Sequence, residues 1–271
     1  MQEINTSFFL EDPLLKQLSQ NQFRYQVDFQ SQIEASISNL SSHVKQHVKE
    51  AHRQLEDNLF ELDSQNFRLG SFDWFQNMPE YLAWDASVPA QCLWWADENS
   101  KEKTLLLQSL VATLLKRQSQ DQRMDVVFHF KSNAACFSRE TTRDSYDIEA
   151  AVLRSIICHL HHRDRSRSAR GAMFIEKILL DNAADLQSLW KVLSLLFEAM
   201  KDMNAYIIID GIDEMNAEHK VQFLQRLRDL RLELRARTAK ARFLISCSPS
   251  QGIRYVLRDS KVIDVQTERE R

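Results

Sequence analysis

The chain has 271 residues, of which 44% are apolar and 27% charged, enough to bury a sizeable core in one large domain or two modest ones. Its formal net charge of -3 selects neither nucleic acid nor an anionic membrane. No apolar run reaches the roughly 18 residues of a membrane span, and the start MQEINTSFFLEDP lacks the basic residues and cleavage site of a signal peptide.

These features predict an intracellular, cytoplasmic chain with no membrane and no specific nucleic-acid partner. The four cysteines, Cys92, Cys136, Cys158 and Cys247, are widely spaced, which suits free thiols in a reducing compartment better than a disulfide framework. Only four glycines and four prolines are present, so the chain should be rich in helix and poor in glycine-cradled ligand loops.

Residues 1–66 read as a helical N-terminal segment. From Ile33, the positions Ile37, Leu40, Val44, Val48, Ala51, Leu55, Leu59 and Leu62 step by threes and fours, one stripe on a long helix. The stripe packs within the chain or pairs with a partner; both stay open. Residues 67–92, with Phe72, Trp74, Phe75, Tyr81, Leu82 and Trp84, form an aromatic lead-in to a second domain over 67–271.

From residue 92 short apolar strands alternate with helices. Strands are predicted at 92–96, 126–130, 206–210, 242–247 and 261–265, and helices at 104–116, 148–162, 186–200 and 220–236. Such alternation implies a parallel sheet covered on both faces, a three-layer α/β/α architecture. Cys158, His159, His161 and His162 lie at a helix end, where histidine is favoured without a metal. Arg163, Arg165, Arg167 and Arg170 read as a solvated loop. The arginines of the 220–236 helix read as an exposed face with i,i+4 pairs.

Tyr206-Ile-Ile-Ile-Asp210-Gly211-Ile212-Asp213-Glu214 carries the functional signal. A strand apolar at consecutive positions is buried on both faces, and its terminal Asp210 falls at the sheet's C-terminal edge, where ligands of open α/β sheets bind. Gly211 lets the chain turn. Asp213 and Glu214 then follow where a water-orienting or general-base carboxylate is needed, and are the candidate catalytic residues.

This segment resembles the acidic motif of the NACHT class of signal-transduction (STAND) NTPases, in particular the nephrocystin-like N-terminal P-loop region of fungal NLR-like proteins. The resemblance extends over roughly 67–265 and includes Phe72-Asp-Trp-Phe and Phe243-Leu-Ile-Ser-Cys-Ser-Pro249. It implies a P-loop NTPase fold with the 243–247 strand between the first strand and the 206–210 strand. It also implies a phosphate loop at Asp97-Glu-Asn-Ser-Lys-Glu-Lys103-Thr104. Lys103 and Thr104 take the places of the phosphate-binding lysine and the Mg²⁺-binding hydroxyl. Lys103, Thr104 and Asp210 are therefore the candidate nucleotide ligands, and Thr104 and Asp210 the candidate Mg²⁺ ligands, for ATP or ADP with Mg²⁺.

The loop departs from the pattern. Asp97 and Glu102 stand at the framing glycines, Ser100 at the middle one, and Ser248 at an expected arginine. Glycine serves such a loop where φ is positive or the backbone must approach the phosphate. Each acidic side chain about 5 Å from a phosphate charge costs about 3 kcal/mol at an effective dielectric of about 20. The expectation is a degenerate nucleotide-binding regulatory module of an NLR-like protein, a pseudo-NTPase with weak or no ATP hydrolysis, ending just after its last strand. The alternatives are a nucleotide-free scaffold for protein partners or self-association, and a weak Mg²⁺-ATPase switch.

Overall fold

The computed structural model describes residues 42, 44–58, 73–87, 90–96, 100–121, 123–130, 145–163, 185–199, 204–237 and 240–264. The chain divides into compact units Met1–His43 and Val44–Arg271, and the sheet belongs to the second. The expected loop positions Asp97 to Asn99, the arginine loop beyond Arg163, Cys136 and nearly all of residues 1–43 lie outside the described residues. Ser100 and Glu102 fall in a described helix, but their side chains lie outside that description.

Five strands form the sheet: β1 (Gln91–Ala96), β2 (Met124–His129), β3 (Asn204–Ile209), β4 (Lys240–Cys247) and β5 (Lys261–Asp264). All neighbours are parallel, in the order β2-β3-β4-β1-β5. β4 thus lies between β1 and β3, as the resemblance implies. The helices are α1 (44–58), α2 (Asp73–Gln76), α3 (Pro79–Asp85), α4 (Ser100–Gln120), α5 (Ser145–Arg163), α6 (Leu186–Ala199), α7 (Ala217–Ala236) and α8 (Gln251–Val256). Each strand and helix predicted from residue 92 onward is present; most N-terminal bounds move outward by a few residues, as where Met124-Asp125 and Asn204-Ala205 join the ladders.

Alternation along each strand sorts the core into two layers. Cys92, Trp94, Ile207, Ile209, Phe243 and Ile245 pack with α5, α6 and α7. Leu93, Trp95, Tyr206, Ile208 and Leu244 pack with α3 and α4. The α/β/α layering expected from the sequence is therefore the observed one. The stripe of α1 is used within the chain. Val44 and Val48 join the first layer, Ala51 and Leu55 the second, and the His52 ring meets Phe128 with 5.3 Å between centroids. That places α1 along the β2 edge, where an uncovered strand would be a liability.

The arginine face of α7 differs from expectation. Arg226 reaches Glu149 at 3.4 Å and Arg228 reaches Asp259 at 3.0 Å, and Arg231 is buried. Glu149 is itself buried and also accepts from Trp190 Nε1 at 2.8 Å, so a long guanidinium nearby is better used there than on its own helix. Cys92, Cys158 and Cys247 are buried free thiols. Among the described residues no helix is long and apolar enough to cross a membrane.

Candidate functional site

β1, β3 and β4 end together, with Ile209 level with Ile245 and Ala96 level with Cys247. Asp210 therefore leaves the sheet beside Ser246. Its even-numbered position points it to the face that carries α4, whose first turns hold Lys103 and Thr104. Thr104 Oγ1 donates to Asp210 Oδ2 at 2.6 Å, and Ser246 Oγ donates to Asp210 Oδ1 at 2.5 Å. The Asp210 backbone N–H donates to His129 O at 2.9 Å, which ties the strand exit to β2. Both Asp210 and Ser246 are buried.

Gly211 adopts φ 93°, a left-handed conformation that glycine takes without steric cost. The chain then folds into a 3₁₀ turn, Ile212–Glu214. Ile212 is buried at 0% exposure and anchors that turn. Asp213 consequently faces back toward α4. Its Oδ2 lies 3.0 Å from Lys103 Nζ and its Oδ1 3.0 Å from Lys220 Nζ. The Ser248 backbone N–H reaches Oδ1 at 2.9 Å and Oδ2 at 3.2 Å. Burial opposes ionisation of Asp213, but the Ser248 N–H and the two ammonium groups outweigh it and hold the carboxyl below its ordinary range.

Lys103 is only 1% exposed. A buried ammonium costs several kcal/mol unless it is paired, so Lys103 belongs to the site rather than to solvent. Glu214, the second candidate catalytic carboxylate, is exposed. The structure thus brings together Lys103, Thr104, Asp210 and Asp213 and leaves Glu214 outside.

Two contributors escaped the sequence reading. Ser246 could have been found, because parallel pairing of β3 with β4 sets a β4 residue beside Asp210. Lys220 carries no such signal: a lysine in the first turns of a helix reads as solvated, and only the reversal at Gly211 turns it toward Asp213. Among the described residues no cluster of three or more His, Cys, Asp or Glu could hold a metal ion on its own.

A parallel α/β/α sheet with a Lys-Thr pair opening the helix after β1 and an aspartate closing β3 defines a P-loop NTPase-like domain. Residues 70–248 match the family described as Nephrocystin 3, N-terminal, and the chain belongs to that family. No curated protein matches the chain. Among solved structures it is similar to a chain of the Drosophila ORC bound to poly(dA/dT) DNA and Cdc6, at 12% identity and a TM-score of 0.35. That similarity covers 82% of this chain and 32% of the other, so this chain spans about a third of it.

Proposed function

We propose that this chain is a nucleotide-binding-type regulatory module of the NACHT/STAND class, part of an NLR-like signalling protein, with weak or no ATP hydrolysis. The observation that carries the reading is the 2.6 Å contact of Thr104 with Asp210, beside the buried Lys103, at the C-terminal edge of the sheet. Lys103 would meet the outer phosphates of ATP or ADP as a point charge. Thr104 and Asp210 offer hard oxygen donors of the kind Mg²⁺ takes together with waters and phosphate oxygens. Once bound there, Mg²⁺ would neutralise charge on the phosphate oxygens.

Hydrolysis is disfavoured on two counts. Asp213 is held ionised by three donors, which lowers its basicity and makes it a poor acceptor for a water proton at neutral pH. Position 248 offers a backbone N–H and a short hydroxyl side chain where an arginine would supply a cation. The same closed set of contacts favours a second reading, a nucleotide-free scaffold that binds protein, because Lys103 and Asp213 already satisfy one another.

Calorimetry of ATP and ADP binding to the full chain, with and without Mg²⁺, separates the two. The nucleotide reading predicts micromolar binding that Lys103→Ala abolishes. Absence of heat and of thermal stabilisation at millimolar nucleotide would retire it in favour of the scaffold.

A further inference from the structure

Three donors from three separate elements converge on the Asp213 carboxylate: Lys103 from α4, Lys220 from α7 and the Ser248 N–H past the end of β4. Both carboxylate oxygens are engaged, at 2.9–3.2 Å. Two ammonium groups and an inward backbone N–H are the donors that suit two oxygens of a phosphate group. A carboxylate presents its two oxygens to them in much the same way.

The charge count agrees. Lys103 and Lys220 are balanced by Asp210 and Asp213, so these four side chains offer no net attraction to an anion. Without the Asp213 charge the same group would carry one net positive charge. Lys103 and Lys220 side chains are only 1% and 12% exposed, and ammonium groups so placed hold an anion more strongly than solvated ones.

We propose that Lys103, Lys220 and the Ser248 N–H form an oxyanion site for a terminal phosphate group, and that Asp213 fills it as an internal plug. Lys220 then supplies the cation that Ser248 does not. The idea rests on the nucleotide reading above only in taking phosphate as the anion. It adds that nucleotide competes with Asp213 for the same donors. The 3₁₀ turn Ile212–Glu214 stays anchored by the buried Ile212, and rotation of the Asp213 side chain on that turn would carry the plug in and out.

The test uses sodium pyrophosphate as probe, at matched ionic strength so that general screening cancels. Wild type, Asp213→Ala, Asp213→Asn and the double variant Asp213→Ala/Lys220→Ala of the full chain are titrated by calorimetry, with circular dichroism to report the fold. Asp213→Ala is expected to bind pyrophosphate at least about tenfold more tightly than wild type. Asp213→Asn should gain less, because its amide oxygen still accepts from one donor, and adding Lys220→Ala should remove the gain. A folded Asp213→Ala chain that binds pyrophosphate no better than wild type overturns the proposal. Should Asp213→Ala fail to fold in chloride, phosphate at the same ionic strength is expected to restore its fold, and no restoration counts against the plug. Pyrophosphate gain in Asp213→Ala without ATP binding by either wild type or Asp213→Ala would defeat the nucleotide reading alone. Lys103-dependent ATP binding by wild type without that gain would defeat the plug alone.

Discussion

Lowering the pH from 7.5 to 5.5 is expected to cost this chain about 3 kcal/mol of stability, through two histidines behind the site. His129 closes β2 and His159 lies in α5, and both are buried. Burial, with His159 nearby, pushes His129 down to about 3. Burial likewise lowers His159 to about 4, against the opposing contact of Nδ1 with the Ser155 carbonyl at 2.9 Å. Neither His129 Nδ1 nor His159 Nε2 has a hydrogen-bond partner among the described residues, so a proton added to either would lack an acceptor. In the unfolded chain both titrate near 6.5. The folded values are depressed, so the unfolded state takes up protons first as pH falls. Stability is complete above about 6.5 and is lost progressively below it, until the folded values are reached. At pH 5.5, about one unit below the unfolded value, each histidine costs about 1.4 kcal/mol. Together they should lower the midpoint of thermal unfolding by about 6–12 °C for a domain of this size.

Urea unfolding at both pH values measures the loss. His129→Gln and His159→Gln should each remove about half of the pH dependence. A stability that is level from pH 7.5 to 5.5, or a pH dependence unchanged in both variants, would refute the reasoning. His52 is lowered as well, by burial, and acts in the same sense, so a somewhat larger loss in the wild type is consistent.

Ser246→Ala removes a donor to the buried Asp210 carboxylate and should cost about 1.5–3 kcal/mol, the range for hydrogen bonds to charged groups, in urea unfolding at neutral pH. Gly211→Ala places a Cβ at φ 93° and should cost about 1–2 kcal/mol, read from the thermal midpoint. Trp84→Phe deletes the Nε1 donor to the Phe243 carbonyl at 3.0 Å. It should cost about 0.5–1.5 kcal/mol as that hydrogen bond is lost, and an unchanged urea midpoint would contradict the assignment.

Much of the fold was legible because its signals are local. The runs at Leu93–Ala96 and Tyr206–Ile209 are short and apolar at consecutive positions, as a strand covered on both faces requires. The stripe at Val44, Val48, Ala51 and Leu55 marked the buried face of α1, although its destination at the β2 edge was not readable. Of the residues that cluster in the site, Asp210 was singled out by the apolar strand before it, and Lys103 and Thr104 only by the resemblance of 97–104 to a phosphate loop. The Asp213–Lys220 contact was not legible, because it depends on how one glycine reverses the chain between two elements. The arginines of α7 misled for a related reason: on a helix drawn alone, Asp229 and Glu233 are the available partners. Glu149 becomes a competitor for Arg226 only once α5 is packed alongside.

That Thr104 and Asp210 form the metal side of a phosphate site is tested most directly by titrating the chain with ADP, with and without Mg²⁺. Wild type, Thr104→Ala and Asp210→Asn are compared. Mg²⁺ is expected to tighten ADP binding by about tenfold or more in the wild type and to have little effect in either variant. ADP binding that Mg²⁺ leaves unchanged in the wild type, or strengthens equally in all three chains, would contradict that assignment.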